Sequence, residues 1–338
     1  MTDTWLITGG CGFIGKRLVS TLRDNTSACL RVFDNLSVGS KADLEAGVLV
    51  EQTESSHRLP VPSDGAVQLI QGDICDVDAI TNAMQGVDNV VHLAANTGVA
   101  PSVVDPQADC HINVVGTLNV LEAARHAGVR RFIFASSGAP IGEANPPIHE
   151  ELAAHPVSPY GASKLAGEGY CSAYARTYNL DTVALRFGNV YGPGSSNKSS
   201  VVAKFIRDAM TEGLIRIYGD GLQTRDFVYI DDLIQAICAA ETVPNIGGEI
   251  FQIATQSETT VQEIAGIICK KLPILGVPAP KIIYEKLRVG DVLRNFSDTG
   301  KARKILGWQS KVGTNEGIEA TIKWFLDNET SLTKTTIA

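Results

Sequence analysis

Short apolar runs alternate along this chain with longer stretches whose apolar positions recur every three or four residues. The runs predict buried strands over 4–8, 29–33, 67–70, 89–92, 131–135 and 182–186. The periodic stretches predict helices over 13–23, 76–85, 108–126 and 160–178, with Gly128 as a C-terminal stop. Strand and helix in alternation make a parallel sheet covered on both faces, an α/β fold. Residues 37–66 are polar, carry Pro60 and Pro62 and show no period, so they read as an ordered surface insertion. After Arg186 the character changes. Glycine, serine and proline between 192 and 200 mark a crossing into a smaller lobe, with helices over 201–212, 260–271 and 314–326 and short strands over 214–218, 249–253 and 281–284. Residues 329–338 read as a frayed polar tail, and no internal repeat appears.

Bulk properties narrow the classes. The 338 residues suffice for a large core in two lobes. A formal charge of -8 with no basic stripe argues against nucleic-acid binding. No apolar run reaches membrane-spanning length, and the first fifteen residues read as a strand and a glycine turn rather than a signal peptide, so a cytoplasmic enzyme is expected. Seven cysteines, at 11, 29, 75, 110, 171, 238 and 269, show no metal-ligand spacing. They read as buried thiols in a reducing compartment, and no metal is expected.

The N-terminus carries the first specific signal. The strand Trp5-Leu-Ile-Thr8 runs into Gly9-Gly-Cys-Gly12-Phe-Ile-Gly15, and a helical pattern follows. Glycines at this spacing let backbone approach a pyrophosphate that faces a helix N-terminus. A second strand, Leu30-Arg-Val-Phe33, ends in Asp34, where a carboxylate accepts hydrogen bonds from ribose hydroxyls and repels a 2′-phosphate. Arg31 and Lys41 lie close by, so NADP is disfavoured but left open. The fold class is therefore α/β: a Rossmann-type doubly wound parallel sheet with a smaller C-terminal α/β substrate lobe.

The second signal is Tyr160 and Lys164 in Ser158-Pro-Tyr-Gly-Ala-Ser-Lys164. A tyrosine four positions ahead of a lysine, just after a proline, puts both side chains on one face of a helix start. A phenol titrates near 10 in water, and a neighbouring ammonium or a cationic nicotinamide ring favours the phenolate. Bringing such a phenol to neutrality takes roughly 4 kcal/mol. Taken alone, the pair also fits an exposed aromatic beside a solvated lysine. The strand Phe132-Ile-Phe-Ala-Ser-Ser137 ends in two hydroxyls, which fit a proton-sharing role or plain strand-end caps.

Together these motifs resemble the extended short-chain dehydrogenase/reductase family, and within it the nucleotide-sugar epimerases and dehydratases, closest to the UDP-hexose 4-epimerases. The resemblance runs from about Thr4 to about Leu326. It also rests on His92-Leu-Ala-Ala95, Asn113-x-x-Gly-Thr117, Arg186-x-x-Asn-Val-Tyr-Gly-Pro193 and Arg225-Asp-Phe-Val-Tyr229. It implies an NAD-binding domain over 1–186 to which roughly 226–254 returns, a nucleotide-sugar lobe over 187–225 and 255–328, and a tail. It implies NAD as cofactor, bound by Gly9, Gly12, Phe13, Ile14 and Gly15 in the turn. Asp34 would take the adenosine ribose, and Asn35, Asp73, Ile74, Leu93, Ala94, Ala95 and Asn113 would join Tyr160 and Lys164 in holding the rest of the cofactor.

Counting back from Gly142, the family's closing glycine, assigns the catalytic hydroxyl to Ser137, with Ser136 tied to backbone or cofactor. Tyr160 as phenolate then takes a proton from a sugar hydroxyl, while Lys164 holds the nicotinamide ribose and keeps the phenol acidic. For a UDP-sugar the resemblance implies Thr97 and Ser137 near the sugar, Asn189, Arg225 and Arg288 on the diphosphate, Tyr218 on the uracil, Asp291 on the ribose and Asn295 at the gate near C2. The 4,6-dehydratases place an Asp-Glu pair after the threonine, and the decarboxylases a glutamate beside it; here Gly138 and Ala139 follow Ser137. Pro140-Ile141 replaces the usual Val-Tyr on the sugar side. Gly194 stands where uronate epimerases carry an arginine, a place Lys198 or Arg294 could fill.

The leading reading is an NAD-dependent epimerase inverting C4 of a UDP-hexose (UDP-glucose and UDP-galactose). Asn295, smaller than the tyrosine that restricts the gate, would also admit UDP-GlcNAc and UDP-GalNAc. The alternatives are a UDP-glucuronate 4-epimerase or another nucleotide-sugar oxidoreductase of the same fold, and a non-catalytic NAD-sensing regulator. The resemblance further implies a homodimer built on the helices near 108–126 and 160–178, for which Ala162, Ala166 and Gly169 leave room.

Overall fold

A computed structural model of the protein describes residues 2–53, 65–196, 198–286 and 293–328. The chain divides into two compact units. The first comprises Met1–Glu143, Glu150–Arg186 and Ala236–Phe251; the second comprises Ala144–His149, Phe187–Gln235 and Gln252–Ala338.

The first unit is built on strands β1 (Thr4–Thr8), β2 (Cys29–Asp34), β3 (Val50–Thr53), β4 (Val67–Gln71), β5 (Asn89–His92), β6 (Arg131–Ser137) and β7 (Asp181–Phe187). Its helices are α1 (Phe13–Asn25), α2 (Lys41–Glu45), α3 (Val77–Ala83), α4 (Val99–Val104), α5 (Pro106–Cys110), α6 (Thr117–Ala127) and α7 (Pro159–Tyr178). With the strand Glu249–Ile253 the sheet has eight strands, in the order 249–253, β7, β6, β5, β1, β2, β4, β3. The pairings β1 with β2, β1 with β5, β2 with β4, β3 with β4 and β5 with β6 are all parallel. The chain winds outward from β1 to one side and resumes on the other at β5, which places a topological switch point at the C-terminal edge of β1. Thr8 lies there, paired with Phe33 and His92.

Local chemistry explains the element ends. Asp76 caps α3 by accepting from the Ala79 amide at 3.0 Å. Ser158 caps α7 by accepting from the Gly161 amide at 3.1 Å, with Pro159 opening the helix. Gly128 ends α6 at φ 73°, the left-handed stop that its position predicts. Leu6, Phe33, Val90, Phe132 and Phe134 from the sheet pack with Val120 and Leu121 of α6 in one core.

Three expectations change. Residues 37–66 are not insertion throughout: Ser40 and Asp43 form a capping box that starts α2, and β3 joins the sheet as its edge. One buried residue, Val50, is too little to register as a strand pattern; residues 54–64 lie outside those described. The helix expected over 108–126 is three pieces, α5, a π-helical turn His111–Gly116 and α6, because wide turns leave the apolar spacing nearly unchanged. Finally, the cysteines are not uniformly buried. Cys11 and Cys171 are, but Cys29 opens β2 and Cys110 closes α5 on exposed positions.

In the second unit, Asn189–Tyr191 pairs in parallel with Phe227–Tyr229, and Leu214–Tyr218 in parallel with Lys281–Glu285. Helices Val201–Glu212, Val261–Ile274 and Thr314–Asp327 pack on one another and on Leu214–Tyr218. The helix Ile230–Thr242 went unpredicted, since Ile230, Leu233, Ile234, Ala236, Ile237 and Ala240 bury nearly every face and leave no stripe. Asp226, buried with no cation, accepts instead from the Thr255 amide at 2.7 Å, the Thr255 hydroxyl at 2.6 Å, the Gln256 amide at 3.0 Å and the Ser297 amide at 3.3 Å. Among the described residues, no helix is long and apolar enough to cross a membrane, and no group of three or more His, Cys, Asp or Glu is placed to hold a metal.

Gly167 is where α7 lies closest to the sheet, since an added Cβ would fall 2.4 Å from the Phe134 ring. Gly167→Ala is expected to lower the unfolding free energy by about 1–3 kcal/mol in urea titrations. An unchanged midpoint and slope would show that α7 can move off the sheet freely.

Candidate active site

The turn after β1 is a cradle that only glycine permits. Gly9 has φ 68° and donates its amide to the Phe33 carbonyl at 2.8 Å; a Cβ there would meet the Ala94 amide nitrogen at 2.7 Å. A Cβ on Gly15 would fall 2.5 Å from the Gly10 Cα. Gly12 caps α1 without a side-chain bond, so Phe13 and Ile14 begin a helix whose N-terminal end no cap side chain closes. Asp34 is buried at the end of β2, where Oδ2 accepts from the Cys11 amide at 2.9 Å and Oδ1 from the Leu36 amide at 2.8 Å. Burial pushes this carboxyl up while the two amides pull it down. Each oxygen retains a lone pair for a ribose hydroxyl. Asn35 donates to Asp73 Oδ2 at 3.1 Å, and Asp73 Oδ1 accepts from the Cys75 amide at 2.9 Å, which fixes Ile74 between them.

Neither nearby cation is poised for a 2′-phosphate. Arg31 is buried on Gln68 Oε1 at 2.8 Å and on the Ala83 carbonyl at 2.6 Å, and Lys41 lies 3.3 Å from Glu45. Turn, open helix end and terminal aspartate therefore fit an NAD dinucleotide.

A buried histidine ties this edge together. His92 Nδ1 lies 2.7 Å from the Thr8 hydroxyl and Nε2 lies 3.0 Å from the Thr117 hydroxyl. Thr117 donates onward to the Asn113 carbonyl at 2.7 Å, so its oxygen accepts from Nε2–H, and Nδ1 accepts from Thr8. Burial first, then the Lys164 charge, lowers His92 to about 3, so the ring is neutral. Thr8 also accepts from the Ala94 amide at 3.2 Å, fixing Leu93, Ala94 and Ala95 beside the turn. The Asn113 amide works inward: its oxygen accepts from the Asn96 amide at 2.8 Å, and its nitrogen donates to Asn96 O at 2.9 Å, Asp109 Oδ1 at 2.9 Å and Ser163 Oγ at 3.3 Å.

Ser137 ends β6, its hydroxyl accepting from the Ala139 amide at 3.2 Å, and Tyr160 stands in the first turn of α7, where that hydroxyl acts on the phenol. Gly161 permits this approach, since a Cβ there would fall 2.6 Å from the Ala139 carbonyl. Lys164 is buried one turn on. Its ammonium donates to the Ala135 carbonyl at 2.8 Å and sits 4.8 Å above the Phe134 ring and 6.0 Å from the Tyr160 ring centre.

The electrostatics correct one expectation. Burial pushes the Tyr160 phenol up to about 12; the nearby Ser137 hydroxyl pulls it down, and the Asp109 carboxylate adds to the rise. The protein's own groups do not make this phenol acidic, and Lys164, turned to a carbonyl, is not among those that shift it. Lys164 itself is lowered by burial to about 8, against the pull of Asp109, Glu168 and the Cys171 thiol. Ser136 differs too: it donates to Glu168 Oε1 at 2.5 Å instead of to backbone or cofactor. Glu168 in turn holds Arg186 through two bonds of 2.7 Å in a buried ion pair.

Asp109 and Glu168 escape sequence reading. Glu168 carries a weak signal, falling one turn beyond Lys164 on the face Tyr160 begins. Asp109 has only its place four residues before Asn113.

In the second unit, the expected substrate residues Asn189, Tyr218 and Arg225 stand on separate two-stranded pairings joined by backbone and side-chain bonds. Asn189 donates its amide to the Asp226 carbonyl at 2.7 Å, next to Arg225, and Tyr218 accepts from Gln223 Nε2 at 2.8 Å through its carbonyl. The Thr224 amide donates to the Leu293 carbonyl at 2.9 Å, drawing the segment of Asn295 alongside. Arg225 donates to the Thr224 carbonyl at 2.7 Å. Arg288 and Asp291 lie outside the described residues, and Thr97, in the first unit, is exposed. Arg294 is committed to Glu258 by bonds of 2.7 and 2.8 Å.

Residues 5–254 match the model of the NAD dependent epimerase/dehydratase family. The chain is 35% identical over 328 residues to a putative UDP-glucose 4-epimerase of Methanocaldococcus jannaschii, covering 96% of this chain and 98% of that protein. It is 35% identical over 325 residues to the UDP-glucose 4-epimerase of Mycolicibacterium smegmatis, covering 95% and 97%. The crystal structure of a Thermotoga maritima UDP-glucose 4-epimerase with UDP-glucose superposes with a TM-score of 0.84 at 33% identity, over 96% of this chain and 99% of that one. At 32% identity the similarity extends to a UDP-glucuronate 4-epimerase and a dTDP-glucose 4,6-dehydratase.

Burial of Lys164 gives a stability signature. Its ammonium titrates near 10.5 when exposed and about 8 when folded. Between those values the unfolded chain binds the extra proton, so stability rises with pH across the window and is lost again as pH falls through 8. The total is up to roughly 3 kcal/mol. Urea unfolding of wild type minus Lys164→Met is expected to climb with pH over that range. A flat difference would mean the ammonium remains solvated.

Proposed function

Since the chain belongs to the NAD-dependent epimerase/dehydratase family, we propose that the protein is an epimerase inverting C4 of a UDP-hexose through a transient 4-keto sugar, with UDP-glucose and UDP-galactose as the pair. The observation that carries this reading is the Ser137 hydroxyl acting on the Tyr160 phenol, with Gly138 and Ala139 following Ser137 in the chain. Inversion at C4 needs one group that takes a proton and returns it. Water loss needs a further acid and base, and the two positions that would supply them have no side-chain acid.

In this reading Tyr160 takes the proton of the C4 hydroxyl, and Ser137 shares it without becoming charged. Lys164 holds the nicotinamide ribose hydroxyls. Bound NAD supplies the two-electron acceptor and a ring that is cationic when oxidised. The keto sugar turns over and takes the hydride back on the opposite face of C4, and Tyr160 returns the proton to the C4 oxygen. Asn189 and Arg225 bind the diphosphate, with Arg288; Tyr218 lies on the uracil and Asp291 on its ribose. Asn295 leaves space for an N-acetyl group, so UDP-GlcNAc and UDP-GalNAc are accepted. Ile141 is buried, so the sugar lacks the aromatic wall a tyrosine would give.

A second reading, UDP-glucuronate 4-epimerase, draws support from similarity to such an enzyme. It is weakened by Gly194 and by the commitment of Arg294 to Glu258. Lys198, whose ammonium burial lowers, is the remaining cation for a carboxylate.

We also propose a homodimer built on the helical segments near 108–126 and 160–178, with α4 beside them. Val103, Val104 and Tyr170 are exposed there, and nothing lies within 4 Å of the space a Cβ on Gly169 would take. Gly169→Arg is expected to yield a monomer by sedimentation. A variant that sediments as wild type would remove this face from consideration.

Purified protein is expected to interconvert UDP-glucose and UDP-galactose with no net change in reduced-nicotinamide absorbance. Tyr160→Phe should lower kcat by about 10²-fold or more while leaving NAD bound. Stoichiometric cofactor reduction, or a Phe variant near wild-type rate, would overturn the proposal.

A further inference from the structure

Asp109 is a buried acid that the chemistry above does not use. It is 1% exposed, on α5, which packs against α7. Oδ1 accepts from Asn113 Nδ2 at 2.9 Å, and Oδ2 has no hydrogen-bond partner. The same Asn113 nitrogen lies 3.3 Å from Ser163 Oγ, which donates to the Tyr160 carbonyl at 3.0 Å. A short polar chain thus links the carboxylate to the turn that carries the phenol. A carboxylate with an orphan oxygen is a costly thing to bury, which calls for a compensating role.

We propose that Asp109 is a positioning residue for the proton of Tyr160: its fixed charge, locked by Asn113 and Ser163, holds that proton on the phenol oxygen whenever the nicotinamide ring is neutral. The inference rests on the epimerase reading. In that cycle the phenol must give up no proton to solvent while the keto sugar turns, or the sugar cannot be reduced back. With the ring oxidised, its positive charge opposes Asp109 and the phenol can act as base. Reduction of the ring removes that charge, and Asp109 and burial then act together.

Among the described residues of the elements packed around this turn, the other charged groups are engaged elsewhere. On α7, Lys164 faces Ala135, and Glu168 is neutralised by Arg186 of β7. From β5, His92 is neutral. α4 carries no charged side chain. The π-helical turn carries only His111, which is exposed and interacts with Asp73. α6 presents Glu122, Arg125 and His126, which meet α7 at Tyr174 and Tyr178, over three turns from Tyr160. On β6, Arg131 sits at the far end, bonded to Asp181 and the Ala240 carbonyl.

The test is Asp109→Asn in the NAD-loaded enzyme. Asparagine keeps the acceptor for Asn113 and removes the charge. The phenolate absorbance of Tyr160, assigned by its loss in Tyr160→Phe, should titrate roughly one pH unit lower than in wild type. The acid limb of kcat/KM should move the same way, and reduced nicotinamide should accumulate during turnover. Asp109→Glu, which retains the charge, should keep the wild-type titration. Should Asp109→Asn fail to fold, Asp109→Ser, also neutral, is expected to give the same shift. A neutral variant that folds, binds NAD and titrates as wild type would overturn the proposal. The titration needs no sugar, so its failure is distinct from a failure to epimerise UDP-hexoses.

Discussion

A phenol and an ammonium withdrawn from water on one helix face set the terms for the rest of this structure. Burial, the largest influence on each, drives them in opposite directions: Tyr160 toward keeping its proton, with a value of about 12, and Lys164 toward losing its own, with a value of about 8. Desolvation penalises the charged form of each, and only a fixed opposite charge can offset it. The protein provides such charges for the lysine, through Asp109 and Glu168, but not for the phenol. As the base of the proposed reaction, this phenol would be incomplete in its surroundings, and a cationic ring is the natural complement.

Much of the fold serves to hold that arrangement rigid. Gly161 and Gly167 let α7 lie against Ala139 and Phe134. The Glu168–Arg186 pair, with Ser136, bolts the same helix to β6 and β7. The Thr8–His92–Thr117 relay connects the glycine turn to the π-helical turn, and Asn113 carries it on to Ser163. Dinucleotide cradle and proton-moving pair are thus parts of one hydrogen-bonded body. Families that use this frame for both epimerisation and dehydration can vary the two residues after the strand-end hydroxyl without disturbing it.

The local parts were legible in the sequence. Strand β1, the glycine turn, α1 and Asp34 follow from neighbouring residues alone, and so do Tyr160 and Lys164, whose spacing fixes a shared face. What needed coordinates was anything set by burial or by distant partners. The strand β3 carries one buried residue and no alternation. Helix Ile230–Thr242 is apolar on nearly every face. The proximity of Lys164 to Tyr160 invites the inference of an acidic phenol, but the ammonium turns to the Ala135 carbonyl and desolvation decides the sign. Asp109 has no motif of its own, since its importance comes from an oxygen left without a partner. In the second unit, Arg225, Tyr218 and Asn295 are described, whereas Arg288 and Asp291 lie outside the described residues, and the roles of all five rest on resemblance.

In the proposed reaction the charge on the nicotinamide, and not the protein's own cations, decides whether Tyr160 is a base. The direct measurement is NMR of ring-labelled tyrosine at position 160 as a function of pH, in enzyme loaded with NAD and, separately, with NADH. The account predicts a phenol that ionises near neutrality with the oxidised cofactor and stays protonated well into the alkaline range with the reduced one. The same titration in both states would contradict it.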